Sequence, residues 1–334
     1  MTISGLGPHG ERAAPPERVT LLPEDQAAAK ARGFRVAVVL HTLESDWARQ
    51  QLSGIVGTLG DCGTAVTHVI DCAFSPTAQI RALDQLLTQK LDAVISLPVA
   101  NEEVAFAHAR LADAGIKLVL LDNAPTGLLL GRHYATLVSA DNFGLGTIAA
   151  EGLSPRLPQG AEVGLLGYAA DFFATNEREI AFAKWMLAHR PDVTIRKDSF
   201  GRIDEAARRT EAMLAAHPDL AGLFVVWDTP ALIAAEVLKR LAHPIPMVTV
   251  DLGEEAAIGL AQGTPFAVIA AQQPYLQGVA AAQTTVLTLL GRPTPAWIAL
   301  PGIAVTRANV VESFQRIWRS PAPQSVLQAV GLIR

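Results

Sequence analysis

From Phe34 onward, short apolar runs alternate with longer segments in which apolar residues recur at helical spacing. Trp47, Leu52 and Ile55, for example, share one face of a predicted helix. The predicted strands are Arg35–His41, Ala65–Ile70, Leu91–Leu97, Ile116–Leu121, Tyr134–Ser139, Glu162–Tyr168, Val193–Ser199, Leu220–Val226, Pro246–Val250 and Phe266–Ala271. Strands separated by helices are typical of βαβ units, in which helices cover both faces of a parallel sheet. The pattern therefore predicts an α/β fold with two blocks of about four to six strands each.

The length and composition are consistent with two such blocks. The chain has 334 residues, which at roughly 150 residues per domain corresponds to about two domains. Half of the residues are apolar, 18% are charged, and the net charge is −5. Because nucleic-acid binding requires a basic face, this acidic balance argues against a nucleic-acid partner. No apolar run reaches the roughly 18 residues that a membrane span needs.

The two ends of the chain differ from the part between them. Residues 1–33 are polar and Pro-rich, and only Pro23–Ala31 has the spacing of a short helix, so we expect a tail that leads into the fold. This tail lacks the continuous apolar stretch of a secretory leader. Residues 321–334 predict a C-terminal extension, formed by a linker and a short amphipathic segment that docks on the fold.

Polar and aromatic residues follow most of the predicted strands. In open parallel sheets, ligands bind outside the carboxyl ends of the strands. The residues at these ends are Thr42–Trp47, Asp122-Asn123, Asp141-Asn142, Asp171–Phe173, Phe200, Trp227-Asp228, Asp251–Gly253 and Gln272–Pro274. Any single Asp or Asn among them could simply cap a helix or favour a turn. Together they indicate a site for a polyhydroxylated ligand, because carboxylates and amides bind hydroxyls and aromatic faces cover the C–H face of a sugar.

Other kinds of chemistry have weaker support. The Gly5–Gly10 segment matches a dinucleotide-binding pattern but follows no strand, and the His and Cys spacings do not match a metal site. We therefore expect no cofactor, no metal and no catalytic residue. A carbohydrate-active enzyme remains an alternative, because glycosidases also use paired carboxylates. The six strand-end Asp residues against one Arg leave open a cationic ligand such as an amino sugar.

Seven short motifs resemble, in order and spacing, those of periplasmic sugar-binding proteins of the ribose-binding-protein-like group. They are Val36–Trp47, Leu120–Asn123, Ser139–Asn142, Glu177-Arg178, Val225–Asp228, Thr249–Gly253 and Ala271–Pro274. The resemblance covers Phe34–Trp318 and implies the type I periplasmic binding protein fold, with two Rossmann-like lobes joined by three hinge crossings. The implied ranges are a tail at 1–33, an N-terminal lobe at 34–139 plus 274–300, a C-terminal lobe at 142–270 plus 303–320, and an extension at 321–334.

The resemblance also implies which residues bind the ligand. The family's paired aromatic residues correspond to Trp47 and Ala48, its Asp-Arg pair corresponds to Asp122 and Asn123, and its site Asn corresponds to Trp227. Arg178, Phe200, Asp251 and Gln272 match family positions, whereas Phe172 and Phe173 add bulk. The expected ligand-binding residues are Asp46, Trp47, Asp122, Asn123, Asp141, Phe172, Phe173, Arg178, Phe200, Trp227, Asp251 and Gln272.

The function that the resemblance implies is solute capture for a carbohydrate ABC importer. We expect a monomer that binds a monosaccharide or sugar alcohol between closing lobes and presents it to a membrane permease. A periplasmic location then requires that a leader was removed or that the start site is misassigned. The alternative is a sugar-sensing partner of a chemoreceptor or sensor kinase. A DNA-binding repressor with the same fold would need about 55–60 residues before the first strand, and only 33 precede Phe34.

Overall fold

Strands and helices alternate in the computed structural model, which describes residues 3–263 and 265–334. The strands in these ranges are β1 (Arg35–Leu40), β2 (Ala65–Asp71), β3 (Ala93–Ser96), β4 (Lys117–Leu121), β5 (Thr136–Ala140), β6 (Glu162–Tyr168), β7 (Thr194–Phe200), β8 (Leu220–Val225), β9 (Met247–Val250), β10 (Phe266–Ala271), β11 (Trp297–Leu300) and β12 (Ile303–Val305). All ten predicted strands are present, with ends that differ by at most two residues.

The helices lie between these strands and cover the sheets. They are α1 (Pro23–Arg32), α2 (Asp46–Asp61), α3 (Pro76–Leu86), α4 (Glu102–Asp113), α5 (Asn142–Leu153), α6 (Phe173–His189), α7 (Ala206–Ala216), α8 (Asp228–Arg240), α9 (Glu254–Gln262), α10 (Pro274–Leu289), α11 (Val310–Trp318) and α12 (Gln324–Ala329). Several begin with a side-chain cap: the hydroxyl of Ser45 accepts from the Ala48 N–H at the start of α2, and Ser75 does the same for α3. Within the described residues, no helix is both long and apolar enough to cross a bilayer.

The strands form two six-stranded sheets, one in each lobe. The first has the order β11-β5-β4-β3-β1-β2 and the second β12-β10-β9-β8-β6-β7. All neighbouring strands are parallel except β10 and β12, which are antiparallel. The central strands β3, β4, β5 and β9 are buried along nearly their whole length, as a sheet covered on both faces requires. The predicted α/β fold with two parallel-stranded lobes is confirmed.

The chain passes between the two sheets at three places, after β5, after β10 and after β11. These are residues 140–142, 271–274 and 300–303. Because β11 and β12 belong to different sheets, only the short Pro301-Gly302 segment connects the lobes at the third crossing. The ligand site expected from the sequence lies at the same edge of both sheets as these crossings.

Helices α2 and α10 cross at very short range beneath the first sheet. A Cβ on Gly54 of α2 would collide with the carbonyl oxygen of Tyr275, and a Cβ on Gly278 of α10 would collide with that of Gln51. Each glycine therefore permits the backbone of one helix to touch the backbone of the other. This contact fixes the position of α2, whose first turn carries Trp47 toward the other lobe.

The N-terminal residues pack against the first lobe. Ala14 pairs with β11, since its N–H donates to Trp297 O at 2.8 Å and its carbonyl accepts from Ala299 N at 3.2 Å. Val19 and Ala29 are fully buried in the first-lobe core. The Pro-rich composition gave no sign of this pairing, because a one-residue bridge leaves no periodic pattern.

The C-terminal residues pack against the second lobe. Helix α12 lies on α9 and α11 with Val326 fully buried, and Arg307 Nη2 donates to Ala329 O at 2.9 Å. The strands β11 and β12 and the helix α11 had no predicted counterpart. At four and three residues, β11 and β12 are too short to show periodicity.

Candidate ligand-binding site

A cavity of about 330 Å³ lies between the lobes, at the carboxyl ends of their strands. Its volume is at the lower end of the roughly 300–1,000 Å³ that small-molecule sites have. Seven of the twelve expected residues line it: Trp47, Asp122, Phe172, Arg178, Trp227, Asp251 and Gln272. They come from both lobes, so a ligand in the cavity contacts both at once.

Two carboxylates that follow β4 and β9, Asp122 and Asp251, form what we call the acidic floor of the cavity. Both residues have left-handed backbone conformations, with φ of 52° and 73°, which Asp and Asn adopt more readily than most residues. Gln277 Nε2 donates to Asp122 Oδ2 at 2.7 Å, and Gln272 Nε2 donates to Asp251 Oδ1 at 2.5 Å. Neutral amides thus hold both carboxylates in place.

Burial raises the pKa of the carboxyl groups at the cavity. It raises the pKa of Asp122 to about 6, against the opposing effect of the Arg178 charge. Burial also raises the pKa of Asp251, and burial together with the neighbouring Asp251 raises that of Asp228 to about 7. Asp228 Oδ2 accepts from Gly253 N at 2.8 Å. Among the described residues, no three His, Cys, Asp or Glu side chains are arranged to hold a metal ion.

Arg178, on α6, is the only Lys or Arg on the cavity wall within the described residues. It is 5% exposed, and its guanidinium is held by neutral groups: Nε donates to Asn142 Oδ1 at 2.9 Å and Nη1 donates to Val226 O at 3.1 Å. The backbone of α6 approaches α5 closely here, because a Cβ on Gly146 would collide with the Arg178 carbonyl oxygen. The hinge residue Asn142 thereby orients the guanidinium at the cavity.

Aromatic side chains form much of the remaining wall: Trp47, Phe74, Tyr168, Phe172 and Trp227. His41 lies edge-on between two of them, with ring centroids 5.6 Å from Trp47 and 5.0 Å from Phe74. Burial lowers the pKa of His41 to about 4, so its imidazole is neutral near pH 7. Flat apolar faces of this kind suit the C–H face of a sugar ring or an extended polyol.

Four buried polar atoms of cavity-lining side chains have no hydrogen-bond partner within the described part of the chain. They are His41 Nδ1, Trp47 Nε1, Asp122 Oδ1 and Gln272 Oε1. Buried polar groups without a partner are rare, because leaving one unpaired costs about 1–3 kcal/mol. The four side chains line the same cavity, and their unpaired atoms include a donor and two acceptors.

Three of the expected residues lie beside the cavity but do not line it. Asp46 is at the rim, where its Oδ2 accepts from Glu254 N of the opposite lobe at 3.1 Å. Phe173 turns away from Phe172 and packs against the first-lobe core, because adjacent residues at a helix start point in different directions. Phe200 is fully buried behind the wall and supports Trp227, with ring centroids 5.1 Å apart.

Asn123 and Asp141, also expected to bind ligand, use their polar atoms within the protein. Asn123 Nδ2 donates to the carbonyls of Pro98 and Ala100, each at 3.2 Å, and its Oδ1 accepts from Phe173 N at 3.3 Å. Asp141 lies outside the cavity wall and binds the N-terminal segment. Its carboxylate accepts from Ser4 N at 2.7 Å, from Gly5 N at 3.0 Å and, as the cap of α5, from Gly144 N at 2.9 Å.

Direct hydrogen bonds join the lobes on both sides of the cavity. Besides the Asp46 contact described above, Asn101 Nδ2 of the first lobe donates to Asp171 Oδ2 of the second at 2.6 Å. The Asn123 contact with Phe173 also crosses between the lobes. These contacts place the molecule in a closed arrangement, with the cavity walls brought together.

Sequence reasoning missed several wall residues, among them Phe74, Tyr168, Ile203 and Thr229, and it named Asp228 at a strand end without placing it among the expected ligand-binding residues. Tyr168 ends β6, so the strand-end rule could have found it directly. Phe74 follows β2 in a tight turn with φ of 56°, and the Ser75-Pro76 helix start after it marks that turn. Nothing in the local sequence pattern indicates Ile203, which lies in a short 3-10 helix.

The chain matches a family model described as a periplasmic binding protein domain over residues 36–293. It is 25% identical over 269 residues to the ribose import binding protein of Bacillus subtilis, an alignment that covers 80% of this chain and 86% of that relative. It is 26% identical over 210 residues to a D-ribose/D-allose-binding protein of Pseudomonas aeruginosa, with coverage of 61% and 66%.

Solved structures share the fold. An ABC transporter solute-binding protein from Agrobacterium vitis, bound with α-D-tagatopyranose, superposes with a TM-score of 0.79 at 22% identity, over 87% of this chain and 99% of that one. A solute-binding protein from Mycobacterium smegmatis with bound glycerol gives a TM-score of 0.76 at 22% identity, over 83% and 96%. With its two parallel-stranded lobes, three crossings and interlobe cavity, this chain belongs to the periplasmic binding protein domain family.

Proposed function

We propose that this protein is the solute-binding component of a carbohydrate ABC importer, and that it binds a monosaccharide or a sugar alcohol in the cavity between its lobes. The observation that carries the proposal is that four side chains lining one aromatic-walled cavity, those of His41, Trp47, Asp122 and Gln272, each carry a buried polar atom without a hydrogen-bond partner among the described residues. Hydroxyl groups supply both donors and acceptors, as a set of this mixed kind requires.

The walls of the cavity suit the carbon skeleton of the same ligand. Trp47 and Phe172 pack against the core of the first lobe. Tyr168 and Trp227 contact each other in the second lobe, with ring centroids 5.3 Å apart. A ring or polyol chain between these surfaces buries its apolar face while its hydroxyls reach the acidic floor. Because both lobes contribute, ligand binding favours the closed arrangement.

The named relatives support this ligand class. Two of them are a ribose import binding protein and a D-ribose/D-allose-binding protein, and similar structures hold a ketose or glycerol. We infer that this chain does not modify its ligand chemically and that it delivers the bound ligand to a membrane permease. We also infer a periplasmic place of action, as the family description indicates.

A thermal-shift screen of the purified protein against aldoses, ketoses and polyols tests the proposal. A ligand present at a hundred times its Kd should add about 2.7 kcal/mol of stability, enough to raise the Tm by several degrees. Isothermal titration should then give a 1:1 stoichiometry for the hit. If no sugar or polyol shifts the Tm, the proposed ligand class is wrong.

Two tryptophan variants make the test specific to the cavity. Trp47→Ala should weaken binding of the hit at least tenfold, because Trp47 provides both a wall face and the unpartnered Nε1. Trp185→Ala is the matched control, since Trp185 lies on α6 outside the cavity wall and stacks on His189 with ring centroids 4.4 Å apart. Equal losses in the two variants would show that the effect does not come from the cavity.

A further inference from the structure

Negative charge exceeds positive charge among the groups that line the cavity. The carboxylates of Glu44, Asp122, Asp228 and Asp251 face it, with Arg178 as the one Lys or Arg of the described wall. The two residues of the acidic floor are 3% and 7% exposed. Water therefore reaches them poorly, and their charges need compensation from the protein or from a ligand.

The side-chain hydrogen bonds to the acidic floor come only from neutral groups among the described residues. The carboxylates of Asp122 and Asp251 accept from side-chain amides of Gln277 and Gln272, and neither carboxylate has a Lys, Arg or His nitrogen within 4.0 Å among the described residues. Arg178 is close enough to influence both carboxylates, but its Nε and Nη1 donate to Asn142 and Val226. One guanidinium cannot balance two buried carboxylates.

The unpartnered atoms show where the missing compensation belongs. Asp122 Oδ1 and Gln272 Oε1 are both buried acceptors of residues that line the cavity, and Gln272 is the amide that donates to Asp251. A hydroxyl group offers one donor, whereas an ammonium group offers three donors and a full positive charge. Aromatic faces stand around the same space, and such faces attract cations.

We propose that the preferred ligand carries a positively charged amino group on its hydroxylated skeleton, an amino sugar or an amino-polyol, with the ammonium group bound at the acidic floor formed by Asp122 and Asp251. The inference rests on the proposed function, which supplies the hydroxylated skeleton, and adds the charge. The ammonium group of such a ligand forms ion pairs with both carboxylates and donates a hydrogen bond to Asp122 Oδ1. Arg178 then binds a hydroxyl oxygen of the ligand.

Matched ligand pairs test the charge separately from the shape. Isothermal titration at pH 7 compares D-glucosamine with D-glucose, D-galactosamine with D-galactose, and 1-amino-1-deoxy-D-sorbitol with D-sorbitol. The amine of at least one pair should bind at least tenfold more tightly than its neutral partner, which is about 1.4 kcal/mol. If neutral members bind as well or better in every pair, the amine proposal is overturned and the proposed function stands.

The remaining outcomes separate the two proposals further. Butylamine and putrescine, which lack hydroxyl groups, serve as probes of charge alone. If they bind and no sugar or polyol does, the cavity takes cations and the proposed function is wrong. If no member of the panel binds, the amine proposal is overturned, and the thermal-shift screen against aldoses, ketoses and polyols decides the proposed function.

Two charge-removing variants locate the ammonium site. Asp122→Asn and Asp251→Asn keep the shape of each side chain, and Asn tolerates the left-handed backbone at both positions. Each should reduce the amine-over-neutral preference at least tenfold while circular dichroism stays native. Asp84→Asn is the control, because Asp84 pairs with Arg110 on the surface of the first lobe, away from the cavity. If both variants keep the full preference for amines over neutral ligands, the ammonium group does not bind at Asp122 and Asp251, and the proposed placement is overturned.

Discussion

The carboxylate of Asp141 should act on stability and not on ligand affinity, and Asp141→Ala separates these roles. The sequence pattern predicted a ligand contact, whereas the structure gives the carboxylate three backbone donors and no place on the cavity wall. Two of these donors belong to Ser4 and Gly5, and the third belongs to Gly144 in the first turn of α5. The φ of −72° at Asp141 is one that alanine adopts without strain, so the variant removes the carboxylate alone.

The size of the effect follows from these three hydrogen bonds. Replacing a helix N-cap by alanine costs about 1 kcal/mol. The Ser4 and Gly5 amides bind the charged carboxylate at 2.7 and 3.0 Å, and hydrogen bonds to charged groups contribute about 1.5–3 kcal/mol each. After the substitution, the N-terminal segment can detach and hydrate its amides, which lowers the loss. We expect Asp141→Ala to reduce the free energy of unfolding by about 2–4 kcal/mol.

Urea unfolding followed by circular dichroism measures the stability, and titration with the best ligand of the screen measures the affinity. Asp141→Ala should lower the unfolding midpoint markedly. It should leave Kd within about twofold, because Asp141 does not line the cavity. Asp251→Asn should show the opposite pattern, with weak binding and a nearly native midpoint. The two variants together test whether position outside or inside the cavity wall decides the role of a strand-end carboxylate.

A substitution on the other partner checks the same contact independently. A Cβ on Gly5 would lie 3.0 Å from Asp141 Oδ1 and 3.1 Å from Phe143 Cβ, so Gly5→Val should push the N-terminal segment away and lower the midpoint in the same direction. The reasoning is refuted if Asp141→Ala loses affinity tenfold with an unchanged midpoint. Native midpoints in both variants would equally refute the proposed restraint.

In α2, Gly54→Ala should lower the free energy of urea unfolding by about 1–3 kcal/mol, because the added Cβ would meet the backbone of α10. Gly57→Ala, in open space on the same helix, should raise it by up to about 1 kcal/mol; equal effects would refute the close crossing. Burial raises the pKa of Asp122 to about 6, opposed by Arg178 and reinforced by Asp251, so the ionised carboxylate costs stability above that pH. Asp122→Asn should therefore stabilise the ligand-free protein at about pH 8, with a gain that shrinks from about pH 6 to about pH 4; equal midpoints at pH 8 would contradict this.

The fold could be predicted from sequence wherever a strand is long enough to show its pattern. Eight of the ten predicted strands are mostly buried, whereas β2 and β7, at the edges of the two sheets, are largely half-buried or exposed. The strands without a prediction, β11 and β12, are short, and their partners β5 and β10 lie far away along the chain. The same holds for the bridge of Ala14 to β11. Such pairings depend on the assembled sheet and leave no periodic signal in their own residues.

The rule that ligands bind at the carboxyl ends of parallel strands predicts which residues lie near the site. It does not predict in which direction each side chain points. Asp122, Asp251 and Gln272 follow buried strands and line the cavity, and their contact with a ligand stays a prediction. The rule fails for Phe200, which also ends a strand but points into the core and not into the cavity. Side-chain direction alternates along a strand, so a shift of one residue in the strand end moves the side chain to the other face.

Asp141 and Asn142 show why the rule fails where the chain leaves the sheet. At this crossing α5 begins immediately after β5, and its exposed amides need a cap, which the Asp141 carboxylate supplies through Gly144 N. The same carboxylate also binds Ser4 and Gly5, which pack with the first lobe, so it connects both lobes at the hinge. The next side chain, Asn142, faces the other way and orients Arg178 at the cavity. Two adjacent polar residues at a hinge crossing can therefore shape the site without contacting the ligand, one by capping a helix and the other by orienting a cavity-lining side chain.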